Sequence, residues 1–222
     1  MNVLITAGGT TEYIDKVRGI TNFATGRLGL LVADKFIENN HKVTLIYAGK
    51  HSPLAANTEK FTKFFRITTT NDLKSTLKKC LESTKYDCVI HSMAVSDYTP
   101  CSQRVRKIAS NSNQLNLRLK RLPKLIRRIK KIQPDTLLVG FKLLSGKIRS
   151  EQRLVAAANR QMKAAKSDFV LANFLEDIDE HTHKAILINE AGIVARCQNK
   201  AEIARVIYEN CYFRGYGEHS GV

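Results

Sequence analysis

The chain has 222 residues, 43% apolar and 25% charged, the proportions of a globular protein with one substantial core. No apolar run approaches the roughly 20 residues that span a bilayer. No basic and apolar leader opens the sequence, and its five cysteines contain no Cys-x-x-Cys pair, so a membrane span, an export signal, a disulfide framework and a zinc site are all set aside. A cytoplasmic protein of one domain, 1–222, with reduced thiols and no membrane partner is expected.

In chain order, "NVLITA" (2–7) is a β-branched apolar run, read as a strand, and "LGLLVADKFIENN" (28–40) places its apolar residues at helical spacing. "KVTLIYAG" (42–49) predicts a second strand. "NDLKSTLKKCLES" (71–83) predicts a helix with Asn71 or Asp72 placed to cap it, and "YDCVIHSMAV" (86–95) a buried strand. Then come helix "PKLIRRIKKI" (123–132) with Pro123 near its first turn, strand "TLLVGF" (136–141), helix "EQRLVAAANRQMKAAK" (151–166) and strand "DFVLAN" (168–173). Strand "HKAILIN" (183–189) and a last helix over about 201–212 complete the chain. Strands alternating with helices predict an α/β fold: a Rossmann-like, doubly wound, mostly parallel sheet with helices on both faces.

Such sheets bind ligands outside the carboxyl ends of their strands. The unusual residues fall there: Gly8 and Gly9, Gly49, Asp97, Phe141 with Lys142, and Asn173. Gly26 and Gly29, with Thr10, Thr25 and Arg27 nearby, flank the start of the first helix, whose free N–H groups suit an anion. Each glycine alone reads equally well as a concession to tight strand-to-helix packing. A dinucleotide fingerprint is missing, because the second strand ends in Tyr47, Ala48, Gly49 and Lys50 without an acid for the ribose, and no P-loop is present.

Net charge is +16, and residues 104–131, "RVRKIASNSNQLNLRLKRLPKLIRRIKK", contain no acid. The segment reads as a solvated basic face, a nucleic-acid surface or a phosphate site, and its lack of aromatics for base stacking argues against nucleic acid.

"ITAGGTTEYIDKVRGITNFATGRLG" (5–29), "MAVSDY" (93–98) followed by "KIAS" (107–110), "GFKLL" (140–144) and "DFVLAN" resemble, in order, the motifs of the phosphopantothenoylcysteine synthetase family, also called phosphopantothenate–cysteine ligases. The resemblance implies a Rossmann-like homodimer that joins 4'-phosphopantothenate to L-cysteine in coenzyme A biosynthesis, with CTP as co-substrate and Mg2+. It implies a stand-alone bacterial form without flavin, its product passing to a separate flavin-dependent decarboxylase, and no nucleic-acid partner.

By the same resemblance Lys107, on a basic lid loop at about 98–113, and Asn22 are catalytic. Gly8, Gly9, Thr10, Gly49, Asp97, Phe141, Lys142, Lys163 and Lys166 fall at nucleotide-binding positions. Arg18, Asn22, Thr25, Gly26 and Ala94 fall at substrate-binding positions. Asp97 would recognise the base, Phe141 lie against base or ribose, Lys163 and Lys166 approach the triphosphate, and Arg18 hold the substrate phosphate, with an ion pair to Asp15 as its alternative. No residue is assigned to bind metal.

The chain departs from the family where the lid reads Lys107, Ile108, Ala109, Ser110 instead of Lys-Ile-Lys-Lys, at Phe174 after Ala172 and Asn173, and at Lys142. These departures leave ATP beside CTP as a candidate nucleotide. An NAD(P)H-dependent reductase, with Lys50 toward a 2'-phosphate, and a basic nucleic-acid-binding protein are the alternative readings.

Overall fold

The structure, a computed structural model, describes residues 1–49, 58–109 and 113–216. Its first half runs β1 (Asn2–Gly8), the short strands β2 (Thr11–Tyr13) and β3 (Gly19–Thr21), α1 (Arg27–Glu38), β4 (Lys42–Ala48), β5 (Lys63–Ile67) and α2 (Thr70–Ser83). β6 (Cys88–His91), β7 (Tyr98–Pro100), β8 (Leu119–Arg121), α3 (Ile126–Ile132) and β9 (Leu137–Leu144) follow. α4 (Glu151–Ala165), β10 (Phe169–Phe174), β11 (Ala185–Asn189), β12 (Gly192–Cys197) and α5 (Lys200–Tyr216) end it.

The apolar runs become strands because both of their faces are covered. β1 sends Val3, Ile5 and Ala7 toward α1 and α5 but Leu4 toward α2 and α3, and β4 divides Val43, Leu45 and Tyr47 from Ile46 and Ala48 in the same way. α4 seals the second face over β10 and β11 with Leu154, Ala158 and Met162. The eight-stranded sheet has the order β12-β11-β10-β9-β6-β1-β4-β5. From β5 to β10 it is parallel, and its strands are the third, second, first, fourth, fifth and sixth of that set in the chain, the order of the dinucleotide-binding folds. β11 and β12 add an antiparallel hairpin at one edge. The predicted doubly wound sheet is the one observed.

Several details differ from the sequence reading. Thr69, not Asn71 or Asp72, caps α2: its hydroxyl accepts from the Asp72 N–H at 3.1 Å while the Asp72 carboxylate accepts from the Thr69 N–H at 2.8 Å. Asp72 therefore works from the third helical position. Pro123 precedes α3, which begins at Ile126, and β9 continues to Leu144. β2, β3, β7 and β8 are three-residue strands in two separate hairpins, too short to show a period, and β5 and β12 are edge strands with a mixed burial pattern.

Two histidines are buried in neutral form. His91, at the end of β6, lies 2.9 Å from the Thr6 hydroxyl, and loss of solvation pushes its pKa down from 6.5 to about 4. His183, before β11, is pushed to about 4 by burial and by Lys200. Since the unfolded chain takes up these protons near pH 6.5 and the folded chain only near 4, stability is lost as pH falls through that window. Between pH 7 and pH 5 each histidine is expected to remove about 2 kcal/mol, and denaturant midpoints of His91→Gln and His183→Gln should show a correspondingly smaller fall.

Candidate active site

β1 and β6 are neighbours whose onward connections leave in opposite directions, so their carboxyl ends open a crevice. The chain closes its floor by backbone pairing: the Ala94 N–H donates to the Gly8 carbonyl at 2.8 Å and the Thr10 N–H to the Ala94 carbonyl at 3.1 Å. Gly8 has φ +89°, and a Cβ there would lie 1.8 Å from the Ala48 carbonyl oxygen of β4, so neither the conformation nor the space admits a side chain. Thr10 is fully buried. Its hydroxyl donates to Ser96 Oγ at 3.1 Å and accepts from the Ser96 N–H at 2.9 Å, so it shapes the floor from beneath instead of facing a ligand.

The loop 22–26 lies over that floor. A Cβ on Gly9 would stand 2.5 Å from the Asn22 carbonyl oxygen, and Tyr47 Oη donates to the Thr25 carbonyl at 2.9 Å. Asn22 and Thr25 are exposed. Gly26 adopts the left-handed conformation at the start of α1, where a side chain would meet the Tyr47 ring at 2.7 Å and the Gly8 nitrogen at 2.9 Å. The Arg27 N–H, first in α1, donates to the Thr25 hydroxyl at 3.3 Å, Gly26 itself offers no side-chain cap, and no acid lies in the first turn to repel an anion approaching the N–H groups that follow. Gly29 follows the packing reading: a Cβ there would be 2.6 Å from that of Ala7 and 2.5 Å from Ser92 Oγ.

Residues 101–109, which follow β7, are tied to the β2–β3 hairpin. The Arg104 N–H donates to the Ile14 carbonyl at 2.9 Å, and the Ile108 N–H to Asp15 Oδ2 at 3.0 Å. Lys107, exposed, sits between these two attachments. Asp15 is itself buried, and its Oδ1 accepts from the Val17 and Arg18 N–H groups at 2.8 Å each. These bonds, the one from Ile108 first, hold its carboxyl below the usual range. Arg18 Nη1 donates to Asp15 Oδ2 and to the Ile108 carbonyl, both at 3.3 Å, so the ion pair with Asp15, the alternative to a phosphate role, is present on a buried carboxylate, and the guanidinium stands between hairpin and lid.

Gly8, Gly9, Thr10, Asn22, Thr25, Gly26 and Ala94 are thus brought together, while Arg18 and Lys107 lie on a hairpin and a lid that are bonded to each other. Gly49 ends β4, its carbonyl accepting from Arg66 at 3.0 Å. Asp97 lies six residues beyond β6, exposed, with its carboxylate paired to Lys124. Phe141 and Lys142 lie within β9, short of its end. Phe141 packs on the α1 and α5 side, and alternation points Lys142 to the other.

Lys163 and Lys166 are a correction. α4 begins at the crevice edge and runs back to the start of β10, so its last turn and C-cap lie at the opposite edge of the sheet. There the neighbouring Asp168 bonds the Leu138 N–H at 2.7 Å, near the start of β9. A crossover helix carries its two ends to opposite edges, and the reading by proximity to "DFVLAN" overlooked that. Lys50 and Ser110 lie outside the described residues.

Asp15, Lys124 and Tyr47 touch the candidate residues, through Ile108 and Arg18, through Asp97 and through Thr25, and were missed in the sequence as their partners in the site. Asp15 was legible as a turn former, an acid followed two and three residues on by the N–H groups it accepts. Lys124 carried no signal within its basic run. Among the described residues no three or more His, Cys, Asp or Glu side chains cluster to hold a metal.

A family model described as the DNA/pantothenate metabolism flavoprotein C-terminal domain matches residues 1–212. The chain belongs to this family. A DNA/pantothenate metabolism flavoprotein from Streptococcus pneumoniae has the same fold with TM-score 0.83 and 31% identity over 96% of this chain and 99% of its own. The coenzyme A biosynthesis bifunctional protein CoaBC of Thermococcus kodakarensis is 35% identical over 186 residues, 84% of this chain but 44% of that protein. CoaBC of Borreliella burgdorferi is 27% identical over 95% of this chain and 52% of its own length. The chain therefore spans about half of these curated relatives. A Cab2 variant in complex with phosphopantothenate-cysteine shares the fold at TM-score 0.76, with 19% identity. No helix among the described residues is long and apolar enough to cross a membrane.

Proposed function

We propose that this member of the DNA/pantothenate metabolism flavoprotein C-terminal domain family is a phosphopantothenate–cysteine ligase. The observation that supports this reading is the meeting of the Gly8–Thr10 turn and the Asn22–Gly26 loop at the switch point of the sheet, with Lys107 carried on a segment anchored to the hairpin that follows β1. The bifunctional CoaBC relatives and the Cab2 variant's phosphopantothenate-cysteine complex supply the substrate class.

A carboxylate is a poor electrophile. A carboxylate oxygen of 4'-phosphopantothenate attacks the α-phosphorus of CTP, the bond to the β-phosphate oxygen breaks, and pyrophosphate leaves. The amine of L-cysteine then attacks the acyl carbon, loses a proton, and expels the nucleoside monophosphate as the amide forms. Lys107 faces the charge that develops in the first step. Asn22 Nδ2 donates to the acyl phosphate, a task for a neutral amide because a carboxylate there would repel it. The start of α1 receives an anionic group of the substrate, and Arg18 its phosphate. Mg2+ on the triphosphate would neutralise charge on the leaving pyrophosphate.

Asp97 accepts from an exocyclic amine of the base, and its pairing with Lys124 restrains the carboxylate. Asp97→Ala is expected to raise the nucleotide KM with little change in the rate of cysteine capture, measured by varying nucleotide and cysteine separately. Equal damage to both would move Asp97 into the chemistry. Cytosine and adenine both carry such an amine, and CTP is retained as the preferred nucleotide. Exposed Tyr98, Leu115, Leu117 and Leu119 on the β7–β8 arm support a homodimer. A flavin-dependent decarboxylase takes the product, and the reaction belongs to the cytoplasm.

Incubation with phosphopantothenate, cysteine, Mg2+ and CTP or ATP in turn tests the reading. It expects pyrophosphate and a new amide of matching mass only when phosphopantothenate is present. NADPH consumption by a physiological substrate, or salt-sensitive retention of nucleic acid without ligation, would replace it with one of the alternatives.

A further inference from the structure

Several hydrogen bonds tie the lid to the β2–β3 hairpin, and one of them ends on a buried carboxylate. Asp15 lies in the loop between β2 and β3, its side chain without solvent exposure. Its two oxygens divide their work: Oδ1 accepts from Val17 and Arg18 and so forms the loop's own turn, whereas Oδ2 accepts from Ile108, 93 residues away, and from Arg18 Nη1. The carbonyl of Ile108 is held in turn by Arg18, and Arg104 joins the Ile14 carbonyl four residues earlier in the lid. Lys107 is therefore flanked on both sides by fixed backbone although its own side chain is exposed.

Local turn formation would explain one oxygen. It does not explain a buried carboxylate whose second oxygen is turned toward a distant segment rich in arginine and lysine. A charged acceptor with several N–H donors makes strong hydrogen bonds, and burial makes the loss of any one of them more damaging.

We propose that Asp15 is a positioning residue that latches the lid, fixing the Ile108 backbone and thereby the direction from which Lys107 reaches the crevice. The consequence for catalysis rests on the ligase reading above, but the latch itself does not. Arg18 couples the two: a phosphate drawn to its guanidinium would meet a group already bonded to the lid, so substrate binding and lid placement share one side chain.

Asp15→Asn separates the two oxygens. The amide oxygen can still accept from Val17 and Arg18 and preserve the turn, while the amide nitrogen, a donor, faces the Ile108 N–H and breaks the latch. Limited trypsin digestion of the full chain, followed by mass spectrometry, reads the lid through cleavage after Arg104 and Arg106. That cleavage is expected to accelerate about tenfold or more in Asp15→Asn, with cleavage elsewhere and the melting temperature little changed. Pyrophosphate release without cysteine should fall in kcat more than it changes in KM.

Ile108→Pro removes the same hydrogen bond from the other side by deleting the donor. It should expose Arg104 and Arg106 in the same way even if Asp15→Asn fails to fold. Lid cleavage at the unmutated rate in either folded variant, or acceleration spread over the whole chain with a lowered melting temperature, would overturn the latch. An unmutated protein that releases no pyrophosphate but protects its lid through Asp15 would overturn the ligase reading and leave the latch standing.

Discussion

Lys107→Ala is expected to slow pyrophosphate release by about 100-fold to 1000-fold, even when cysteine is omitted, because a preorganised donor aimed at developing charge typically contributes that much. The expectation comes from its position: the backbone on both sides of Lys107 is tied to the β2–β3 hairpin by Arg104 and Ile108. A lysine free to wander would lose most of this effect to the entropy of holding a long side chain in one place. Binding of the nucleotide should suffer less than turnover, so the loss belongs in kcat. Lys107→Arg should restore little, since a planar fork does not replace a compact ammonium at one oxygen. An acyl nucleotide formed by Lys107→Ala at the unmutated rate would make the lid lysine a bystander and return the segment to a solvated basic face.

The second large effect is structural. Gly8→Ala forces a side chain onto a backbone with φ +89° and sets its Cβ 1.8 Å from the Ala48 carbonyl oxygen. Left-handed strain of this kind costs about 1–3 kcal/mol. Overpacking adds about 1–3 kcal/mol, here against backbone that cannot rotate away. The sum approaches the lower end of a domain's whole stability, about 5 kcal/mol, so the variant should unfold at much lower denaturant or accumulate poorly. β1 and β4 would have to part at the end that forms the crevice floor, so any folded fraction should bind nucleotide weakly. A loss under about 1 kcal/mol would mean that the two strands are not held as closely as described.

Much of this was written plainly in the chain. β1, β4, β6 and β10 are mostly apolar and buried along nearly all of their length because both faces are covered, and that pattern, with amphipathic helices between them, is enough to call for a doubly wound sheet. The glycines marked the crevice, although the structure divides their work: Gly8 and Gly29 serve close packing, whereas Gly26 also starts a helix whose first N–H turns back to Thr25.

What was not legible depends on contacts between distant residues. The ion pair of Asp97 with Lys124 and the bond of Asp15 with Ile108 join segments 27 and 93 residues apart, and no local period announces them. Lys163 and Lys166 were misplaced for a related reason: nearness in sequence to a strand says nothing of which edge of the sheet a helix end will reach.

The most direct test of the proposed chemistry follows the carboxylate oxygens. Phosphopantothenate labelled with oxygen-18 in its carboxylate, incubated with cysteine, Mg2+ and the nucleotide, should transfer one labelled oxygen to the nucleoside monophosphate and keep the other in the amide carbonyl. Mass spectrometry of the quenched mixture reads both products. Label in inorganic phosphate beside a nucleoside diphosphate would show activation at the γ-phosphate, and ligation without label in any phosphate would show that no acyl nucleotide forms; either result would contradict the account.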